Sequence, residues 1–190
     1  MATVDAVAHV VDSILFVLRS KLQPLVSASQ ILAARPDQFD AFREPTQPVV
    51  TVFLYRISVH EETRNSCKRV LPNGRTTRPL LPLNFHFMVT PWAHRISDEY
   101  LIMGRILQAL YDAAELGTAQ LQGDSWETDD SIQLVFDSVP LDDHFRIWET
   151  TELPYRLSST FIARVIGLEP GEQQAFGVVA GAQLVGSPNH

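Results

Sequence analysis

Histidine is the residue in this chain best suited to chemistry near neutral pH, because its imidazole both transfers protons and binds metals. Four of the six histidines stand far apart in the sequence: His60, His86, His94 and His144. No two of them have the H-x-x-x-H spacing, or a comparable one, that brings imidazoles together on one helix face. With the single cysteine, Cys67, they would form a metal site only through tertiary coincidence. We therefore expect neither a metal nor a cofactor.

Hydroxyl and carboxylate groups also lack a catalytic pattern. Ser158 and Ser159 are outside any G-x-S-x-G turn, and they are better interpreted as strand than as nucleophile. The chain contains neither G-x-G-x-x-G nor G-x-x-x-x-G-K-[ST]. The acid pairs at 129–130 and 142–143 fit a solvated loop and the positive start of a helix. The sequence predicts a protein that is not an enzyme. The alternative is a small hydrolase or ligand-binding domain that uses His86, His94 and nearby acids.

A polar stretch, "EETRNSCKRVLPNGRTTRP" at 61–79, concentrates positive charge in a chain whose net charge is -7. Its turn signal is Pro-Asn-Gly at 72–74, so it is predicted to be a long loop or the tip of an extended hairpin. Its cations are Arg64, Lys68, Arg69, Arg75 and Arg78. Two interpretations stay open: a solvated loop, or a positive finger for an acidic partner.

Three tryptophans, Trp92, Trp126 and Trp148, stand at the ends of elements or beside loops. Tryptophan at such places is enriched in protein interfaces, but it also closes the ends of cores. The core interpretation is favoured for Trp148, whereas Trp92 stays open. Trp92 and His94 belong to a predicted strand-to-helix corner at 91–95.

Helical periodicity marks two long segments and one short one. The first helix is predicted to follow Thr3 as N-cap and to end before Pro24, with a core-facing stripe. That stripe comprises Val7, Val11, Ile14, Leu18 and Leu22. The second is predicted from N-cap Ser97 to C-cap Gly117, with its own stripe. Those residues are Ile96, Tyr100, Met103, Leu107, Leu110 and Ala114. Gly104 costs this helix about 1 kcal/mol relative to Ala, which close packing against a neighbour would explain. The short helix begins near Pro140 or Leu141.

Alternating and β-branched segments predict the strands. "SQILAA" is a possible short strand, and "VVTVFLYRISVH" has the pattern of an interior strand. In "LPLNFHFMVT" the residues at 83, 85, 87 and 89 face one way, and Pro91 ends the strand. "SIQLVFDSV" is a third strand. "YRLSSTFIARVIGLEP" is a fourth, with one face formed by Tyr155, Leu157, Ser159, Phe161, Ala163 and Val165.

Length and composition fit a single compact domain. The chain has 190 residues, of which 45% are hydrophobic and 19% charged. We predict a fold of the α+β (mixed α/β) class, a sheet of about four to six strands flanked by two long helices and one short helix. Residues 1–170 form the domain, and 171–190 form a strand or arm. Net acidity argues against nucleic acid. The absence of a signal-peptide pattern and of a spanning run predicts a soluble protein without a classical export signal.

Four blocks together resemble a known family. "VVTVFLYRISVHEETRN" is similar to its V-x-L-Y-R strand followed by R-N, and "RPLLPLNFHFMVTPWA" to its P-P-L-P-L-x-L-x-Y-L-L-T. "EYLIMGRILQALYD" resembles L-L-G-x-x-L-x-x-L-Y/H-D, and "LDDHFRIWETTELPYRLSSTFIARV" resembles L-x-x-L-x-x-L-W-x-x-L-x-x-P-Y-R-x-S-x-x-Y-x-V-x-V. The family is the cap, or tail-terminator, proteins of extracellular contractile injection systems, phage-tail-like particles such as the antifeeding prophage and the Photorhabdus virulence cassettes. Asn84, Phe87 and Phe161 depart from the commoner Asp, Tyr and Tyr, and 171–190 matches no block.

The resemblance implies a structural, non-enzymatic protein with a tail-terminator-like fold. Family members form a ring, expected to be sixfold, at the end of the tube and sheath distal to the baseplate, where they end polymerisation and anchor the last sheath layer. The implied partners are further copies of the chain, the sheath protein and the inner tube protein, with no nucleic acid and no membrane. Assembly is expected in the bacterial cytoplasm, in a particle that can be released from the cell.

The interface residues predicted under this resemblance come from the basic stretch, the corner and the C-terminal segment. They are Arg64, Lys68, Arg69, Arg75, Arg78, Trp92, His94, Phe176, Val178 and Val179. Sheath docking is expected to use strand addition, either by 171–190 or at the edge of the 49–59 strand. A tail-completion protein of a phage or of a type VI-like system is the alternative, which gene neighbours would distinguish.

Overall fold

The computed structural model describes residues 5–61, 79–151 and 153–168, together with the backbone of two short strands at 69–70 and 76–77. The side chain of Val165 is outside this description. The helices are α1 (Ala6–Lys21), α2 (Ile96–Asp112) and α3 (Leu141–Glu149). The strands are β1 (Ile31–Ala33), β2 (Val49–Val59), β3 (Arg69–Val70), β4 (Thr76–Thr77), β5 (Leu81–Trp92), β6 (Glu115–Leu116), β7 (Ile132–Phe136) and β8 (Ser159–Leu168). None of the described helices combines the length and the apolar character needed to cross a bilayer.

One sheet organises the described residues. Its strand order is β1-β2-β5-β8-β7-β6, whereas β3 and β4 pair separately as a two-stranded ribbon. β1 runs parallel to β2, and every other neighbouring pair is antiparallel. The predicted α+β class and the sheet of four to six strands are therefore confirmed. The long β5 lies between β2 and β8, which explains why its sequence is apolar on both faces.

The first core lies between the sheet and the pair α1 and α2. The odd-numbered side chains of β5 face it, as predicted, and Phe87 stacks on Phe161 of β8 with ring centroids 5.4 Å apart. From α1, Ile14, Leu18 and Leu22 are fully buried in this core. The predicted stripe of the first helix is therefore correct, and α1 is a core-packing helix.

The second core lies on the opposite face of the sheet. Even-numbered residues of β5, Met88 and Trp92, pack there against Phe39 and Trp148. Phe39 comes from a 3-10 segment, Pro36–Phe42, and Trp148 comes from α3. Both faces of the sheet are thus covered, and β5 contributes side chains to both cores.

The stripe predicted for α2 is correct at Met103 and Leu110, which are buried, but wrong in its overall orientation. The buried residues of α2 are Glu99, Ile102, Met103, Ile106, Ala109 and Leu110. By contrast, Ile96, Tyr100 and Leu107 of the predicted stripe are exposed. Successive residues of a helix are about 100° apart around its axis, and the buried side of α2 is rotated by somewhat less than that angle from the predicted side. The apolar arc of α2 is wider than the surface that packs, so periodicity alone could not fix its orientation.

The boundaries of α2 also differ from the prediction. The helix begins at Ile96 with Arg95 as its N-cap, two residues earlier than a helix capped by Ser97 would begin. It ends at Asp112 with C-cap Ala113, so Gly117 is not the cap. The backbone N–H of Leu134 donates to the carbonyl of Ala114 at 2.8 Å, so strand pairing takes over where the helix was expected to continue. For α1 the N-cap is Asp5, and the predicted cap Thr3 lies outside the described residues.

Two strand predictions need correction. Pro91 does not end β5, which continues to Trp92 with Pro91 opposite Val50. β8 begins opposite Val89, so this proline stands where β5 has a partner on one side only, a place that tolerates a missing N–H.

The predicted fourth strand is too long, because β8 begins at Ser159 and leaves Tyr155 and Leu157 exposed in the preceding segment. Its alternation also shifts at a bulge, where the partners of Leu83 and Phe85 are Ile166 and Ala163. The extra residue on β8 brings Ile166 into the first core.

Candidate assembly surface

Arg156 connects three segments that are far apart in the sequence. It lies between α3 and β8, and its Nη1 donates to Glu99 Oε1 of α2 at 2.6 Å. Its Nη2 donates to the carbonyl of Arg43 at 3.0 Å, beside the 3-10 segment. The guanidinium also covers the ring of Trp92, with its carbon 5.2 Å from the centroid. Because Glu99 is mostly buried, this charge-assisted contact fixes the corner between β5 and α2.

Trp92 lies beneath this cation, in the middle of the second core. Its side chain is 0% exposed, and its Nε1–H donates to Thr51 Oγ1 at 2.9 Å. The ring of Phe39 packs edge-on at 5.4 Å, and that of Trp148 is 6.1 Å away. The structure therefore corrects the placement of Trp92 on an interface: within this chain it is a core residue. Trp148 is buried, as the favoured interpretation predicted.

A groove of about 450 Å³ opens beside Arg156 at the strand-to-helix corner. Its walls include His94 and Ile96 on one side and 153–157 on the other. His94 is exposed there, so the corner carries one of the two predicted interface residues on its surface.

The other predicted interface residues lie outside the described residues or lack a described side chain. Arg69 lies in β3, where only the backbone is described. Those outside are Arg64, Lys68, Arg75, Arg78, Phe176, Val178 and Val179. Their interface roles stay predictions.

His86 belongs to a polar cluster on the second face of the sheet. Its Nε2 lies 2.8 Å from Ser58 Oγ, and its Nδ1 lies 3.3 Å from Asp137 Oδ2. The Tyr55 hydroxyl donates to the same Asp137 oxygen at 3.4 Å. Burial, and secondly the charge of Asp137, raises the pKa of the Tyr55 phenol, so this group keeps its proton. The order Ser–His–Asp is that of a hydrolase triad, and no sequence motif indicated it.

His144 forms a second histidine–serine contact in the second core. Its Nδ1 lies 2.9 Å from the Tyr155 hydroxyl and its Nε2 lies 3.1 Å from Ser158 Oγ. Trp148 Nε1–H donates to the same Ser158 oxygen at 3.0 Å. Burial lowers the pKa of His144. The serines at 158 and 159 were predicted to be strand, but Ser158 precedes β8 and links α3 to the sheet. Within the described residues, no group of three or more His, Cys, Asp or Glu side chains could hold a metal ion.

Sequence reasoning missed the surface of α2. Ile96, Tyr100, Leu107 and Tyr111 are exposed along one side of the helix, and Gly104 stands among them. A Cβ at Gly104 would meet nothing within 4 Å, so no described residue packs directly on this glycine. The signal was present in the sequence as an apolar arc too wide for one packed face.

An exposed strand edge is a second candidate contact surface among the described residues. β1 pairs only with Val50, Thr51 and Val52. Among the described strands, the stretch of β2 from Phe53 to Val59 therefore has a partner only in β5.

Comparison with known proteins identifies the family. The model of the Pvc16 N-terminal domain matches residues 9–180, which is most of the chain. The chain belongs to the Pvc16 N-terminal domain family. This confirms the resemblance drawn from the four sequence blocks, and the match includes residues 171–180 of the segment that the sequence set apart as an arm. No curated protein sequence matches the chain.

Two solved structures share the fold of this Pvc16 N-terminal domain. One is the PVC sheath/tube terminator of an extracellular contractile injection system in its extended state, with TM-score 0.63 and 19% identity over 96% of this chain and 64% of that chain. The other is the anti-feeding prophage tube-terminating cap, with TM-score 0.61 and 17% identity over 96% of this chain and 61% of that chain. The chain spans less than two thirds of the length of each.

The blocks that identify the Pvc16 N-terminal domain meet around one corner of the fold. The P-Y-R block supplies Arg156, the second block supplies Trp92, and the helix block begins with Glu99. Arg156 contacts both Glu99 and Trp92, so these three blocks supply residues that meet in a structural contact.

Proposed function

We propose that this chain is a structural cap that terminates the tube and sheath of a contractile, phage-tail-like injection particle. The observation that carries the proposal is the shared fold over 96% of the chain with two terminators, within a family-model match over residues 9–180. The cap lies at the end distal to the baseplate and anchors the last sheath layer. Its role is structural rather than catalytic.

The partners proposed are further copies of the chain in a ring of six, the sheath protein and the inner tube protein. Exposed apolar side chains on α2 support partner binding, since such a continuous row is uncommon on a monomer. The basic stretch at 61–79 and His94 are proposed contact residues, and Trp92 contributes by supporting the corner from beneath. Assembly takes place in the bacterial cytoplasm, before any release of the particle.

Deletion of the gene tests the cap. Particles purified without it are expected to have sheaths of irregular length or poor stability by electron microscopy, and complementation restores them. Particles of normal length and sheath stability would contradict the proposal. If the gene stands beside phage head genes or type VI genes, the chain is instead a tail-completion protein of that system.

Sheath docking is proposed to use strand addition. The edge of β2 from Phe53 to Val59 supports this, because main-chain groups of an edge strand are available to another chain. The segment 171–190 is the other candidate, acting as the strand that a partner receives. A chain truncated after Gly171 that still gives normally capped particles would remove this segment from the role.

A hydrolase is the second candidate function, favoured by the contacts of His86 with Ser58 and Asp137. In this function Ser58 attacks an ester, His86 accepts its proton, and Asp137 orients the imidazole. Neither described groove is lined by these residues, which counts against it. The test is esterase activity of the wild type, its loss in Ser58→Ala and in the double variant His86→Ala/His94→Ala, and particle assembly in all three. Activity that is absent, or equal in Ser58→Ala, rejects the hydrolase.

A further inference from the structure

The outer side of α2 is built to receive another surface. Five residues lie within about 80° of one another around the helix and are here called the α2 patch: Ile96, Tyr100, Gly104, Leu107 and Tyr111. Tyr111 is 74% exposed and Ile96 is 64% exposed. The opposite side of the same helix is fully occupied by the first core. The α2 patch is therefore apolar surface that the described part of the chain leaves uncovered.

Gly104 gives the α2 patch a concave centre. A groove of about 490 Å³ lies beside it, walled by Pro24 and Leu25 after α1 and by Tyr100 and Leu101. Because a Cβ at Gly104 would contact nothing within 4 Å, packing among the described residues does not require this glycine. A glycine in the middle of an exposed helix costs about 1 kcal/mol relative to alanine. A protruding side chain from another molecule accounts for the open space.

The outer side of α3 offers such a protrusion. Leu141 is 62% exposed and Phe145 is 41% exposed, with one side of the Phe145 ring against Tyr155 at a centroid distance of 4.6 Å. Leu141 and Phe145 are here called the α3 patch. On the inner side of α3, His144 and Trp148 are buried. α3 covers the second core whereas α2 covers the first, so the two patches face away from opposite sides of the sheet.

The charges around the two patches are complementary. Arg95 and Arg105 flank the α2 patch, are exposed, and form no ion pair with another described residue. Asp112, next to Tyr111, is likewise exposed without an ion pair among the described residues, so the positive charges exceed the negative one on this rim. Asp142 and Glu149 flank the α3 patch and are likewise exposed without an ion pair in the described part of the chain. Opposite charges around the two patches favour one relative position of the two surfaces. Like charges disfavour contact between two α2 patches or between two α3 patches.

We propose that the α2 patch of one copy receives the α3 patch of a second copy, with Phe145 entering the groove beside Gly104. Two different patches on opposite sides of one molecule make a head-to-tail contact, which repeats from copy to copy and closes into a ring. The proposal rests on the proposed function, which calls for a ring, and it names the surfaces that form it.

Gly104→Leu tests the groove, because the new side chain fills it without meeting the rest of this chain. The full-length variant is expected to keep or raise its melting temperature and to self-associate at least tenfold more weakly by analytical ultracentrifugation over a concentration series. Ala8→Leu, an equal enlargement at an exposed position of α1, is the control and should associate like wild type. Equal association of Gly104→Leu and wild type overturns the proposal.

Charge reversal tests which surfaces meet. Arg95→Glu/Arg105→Glu is expected to weaken association, and adding Asp142→Arg/Glu149→Arg is expected to restore it. Failure of the second pair to restore a weakened contact overturns the assignment of α3.

A wild type that stays monomeric across the concentration series overturns the second-copy assignment. So does a Gly104→Leu chain that forms normal rings but no longer binds tube or sheath, since the α2 patch would then serve those partners. If the variants associate like wild type and their particles are capped, only the proposed contact surfaces are rejected. If particles are unaffected by loss of the gene, the proposed cap function itself is rejected.

Discussion

Arg156 illustrates how a single side chain holds together segments distant in the sequence. Its guanidinium joins the start of α2 through Glu99, the end of the 3-10 segment through the carbonyl of Arg43, and β5 through the ring of Trp92. A planar donor with several N–H groups suits such a position better than an ammonium does. Lysine would keep the charge but could not make the two hydrogen bonds and the ring contact together.

We expect Arg156→Ala to lower the free energy of unfolding by about 2–4 kcal/mol, because it leaves the mostly buried carboxylate of Glu99 without its cation. Urea denaturation followed by circular dichroism measures this. Arg146→Ala is the matched control: Arg146 is exposed and only 3.8 Å from Asp143, so its loss should change stability by less than about 0.5 kcal/mol. Equal losses in the two variants would contradict the role of Arg156.

His144 should make stability depend on pH. Burial lowers its pKa in the folded chain, so the unfolded chain, with a histidine pKa near 6.5, takes up the proton first as the pH falls. The stabilising contribution is complete above about pH 6.5 and is lost as the pH falls below it toward the folded pKa. The unfolding free energy measured by urea titration should therefore be lower at about pH 5.5 than at about pH 7.5.

His144→Gln is expected to narrow this difference between the two pH values, although its overall stability falls because the contacts to Tyr155 and Ser158 weaken. His94→Gln alters an exposed imidazole and should keep the wild-type difference. If His144→Gln retains the full pH dependence, the titrating group lies elsewhere.

At the scale of elements, α2 and the loop before β7 use glycine for different reasons. Gly104 sits in a helix with open space around it, whereas Gly123 has φ of 86° and a Cβ there would overlap the His9 ring. His9 is itself fixed by a hydrogen bond of 2.6 Å to Ser125. Packing among the described residues thus does not require Gly104, whereas the backbone conformation requires Gly123.

Alanine substitution should have opposite effects at these two glycines. Gly104→Ala is expected to raise the unfolding free energy by about 0.5–1 kcal/mol, because alanine favours the helix and restricts the unfolded chain. Gly123→Ala should lower it by more than about 1 kcal/mol, because a left-handed backbone and the His9 ring both oppose a Cβ. Thermal unfolding of the two variants measures the difference, and shifts of the same sign would refute this account.

At the scale of the whole molecule, the stabilities of the two cores are coupled because β5 forms part of both. Phe85 and Phe87 point into the first core, while Met88 and Trp92 of the same strand point into the second. Loss of either core removes support from the strand on which the other is built. Unfolding of the two cores should therefore be cooperative.

Phe39→Ala tests this coupling, since Phe39 is fully buried against Trp92 and Trp148. We expect a loss of about 3–5 kcal/mol. In a Trp126→Phe background, tryptophan fluorescence reports only Trp92 and Trp148 of the second core, because Trp126 packs against the first core. Urea transitions followed by this fluorescence and by far-UV circular dichroism should still coincide. Phe16→Ala, at an exposed position of α1, should cost far less. A fluorescence transition that precedes the circular dichroism transition would show that the second core unfolds alone.

The fold class and most elements were predictable because their signals are local. α1 and β5 were predicted from periodicity, β2 from its β-branched and aromatic residues, and β7 and α3 from short segments of the sequence. The orientation of α2 was not predictable, since nothing in its wide apolar arc says which part meets the sheet. The length of β8 depended on Arg156, whose contacts with Glu99 and Arg43 hold the preceding residues outside the strand.

By itself, the sequence determined the class of fold, the alternation of β5 and the family, because these depend on residue order and spacing. Only the tertiary structure decided that Trp92 is buried, that Ser58, His86 and Asp137 meet, and that the excess apolar face of α2 points outward. Each of those facts depends on contacts between segments far apart in the chain. Burial and proximity of that kind follow from how the elements pack, and no local pattern records them.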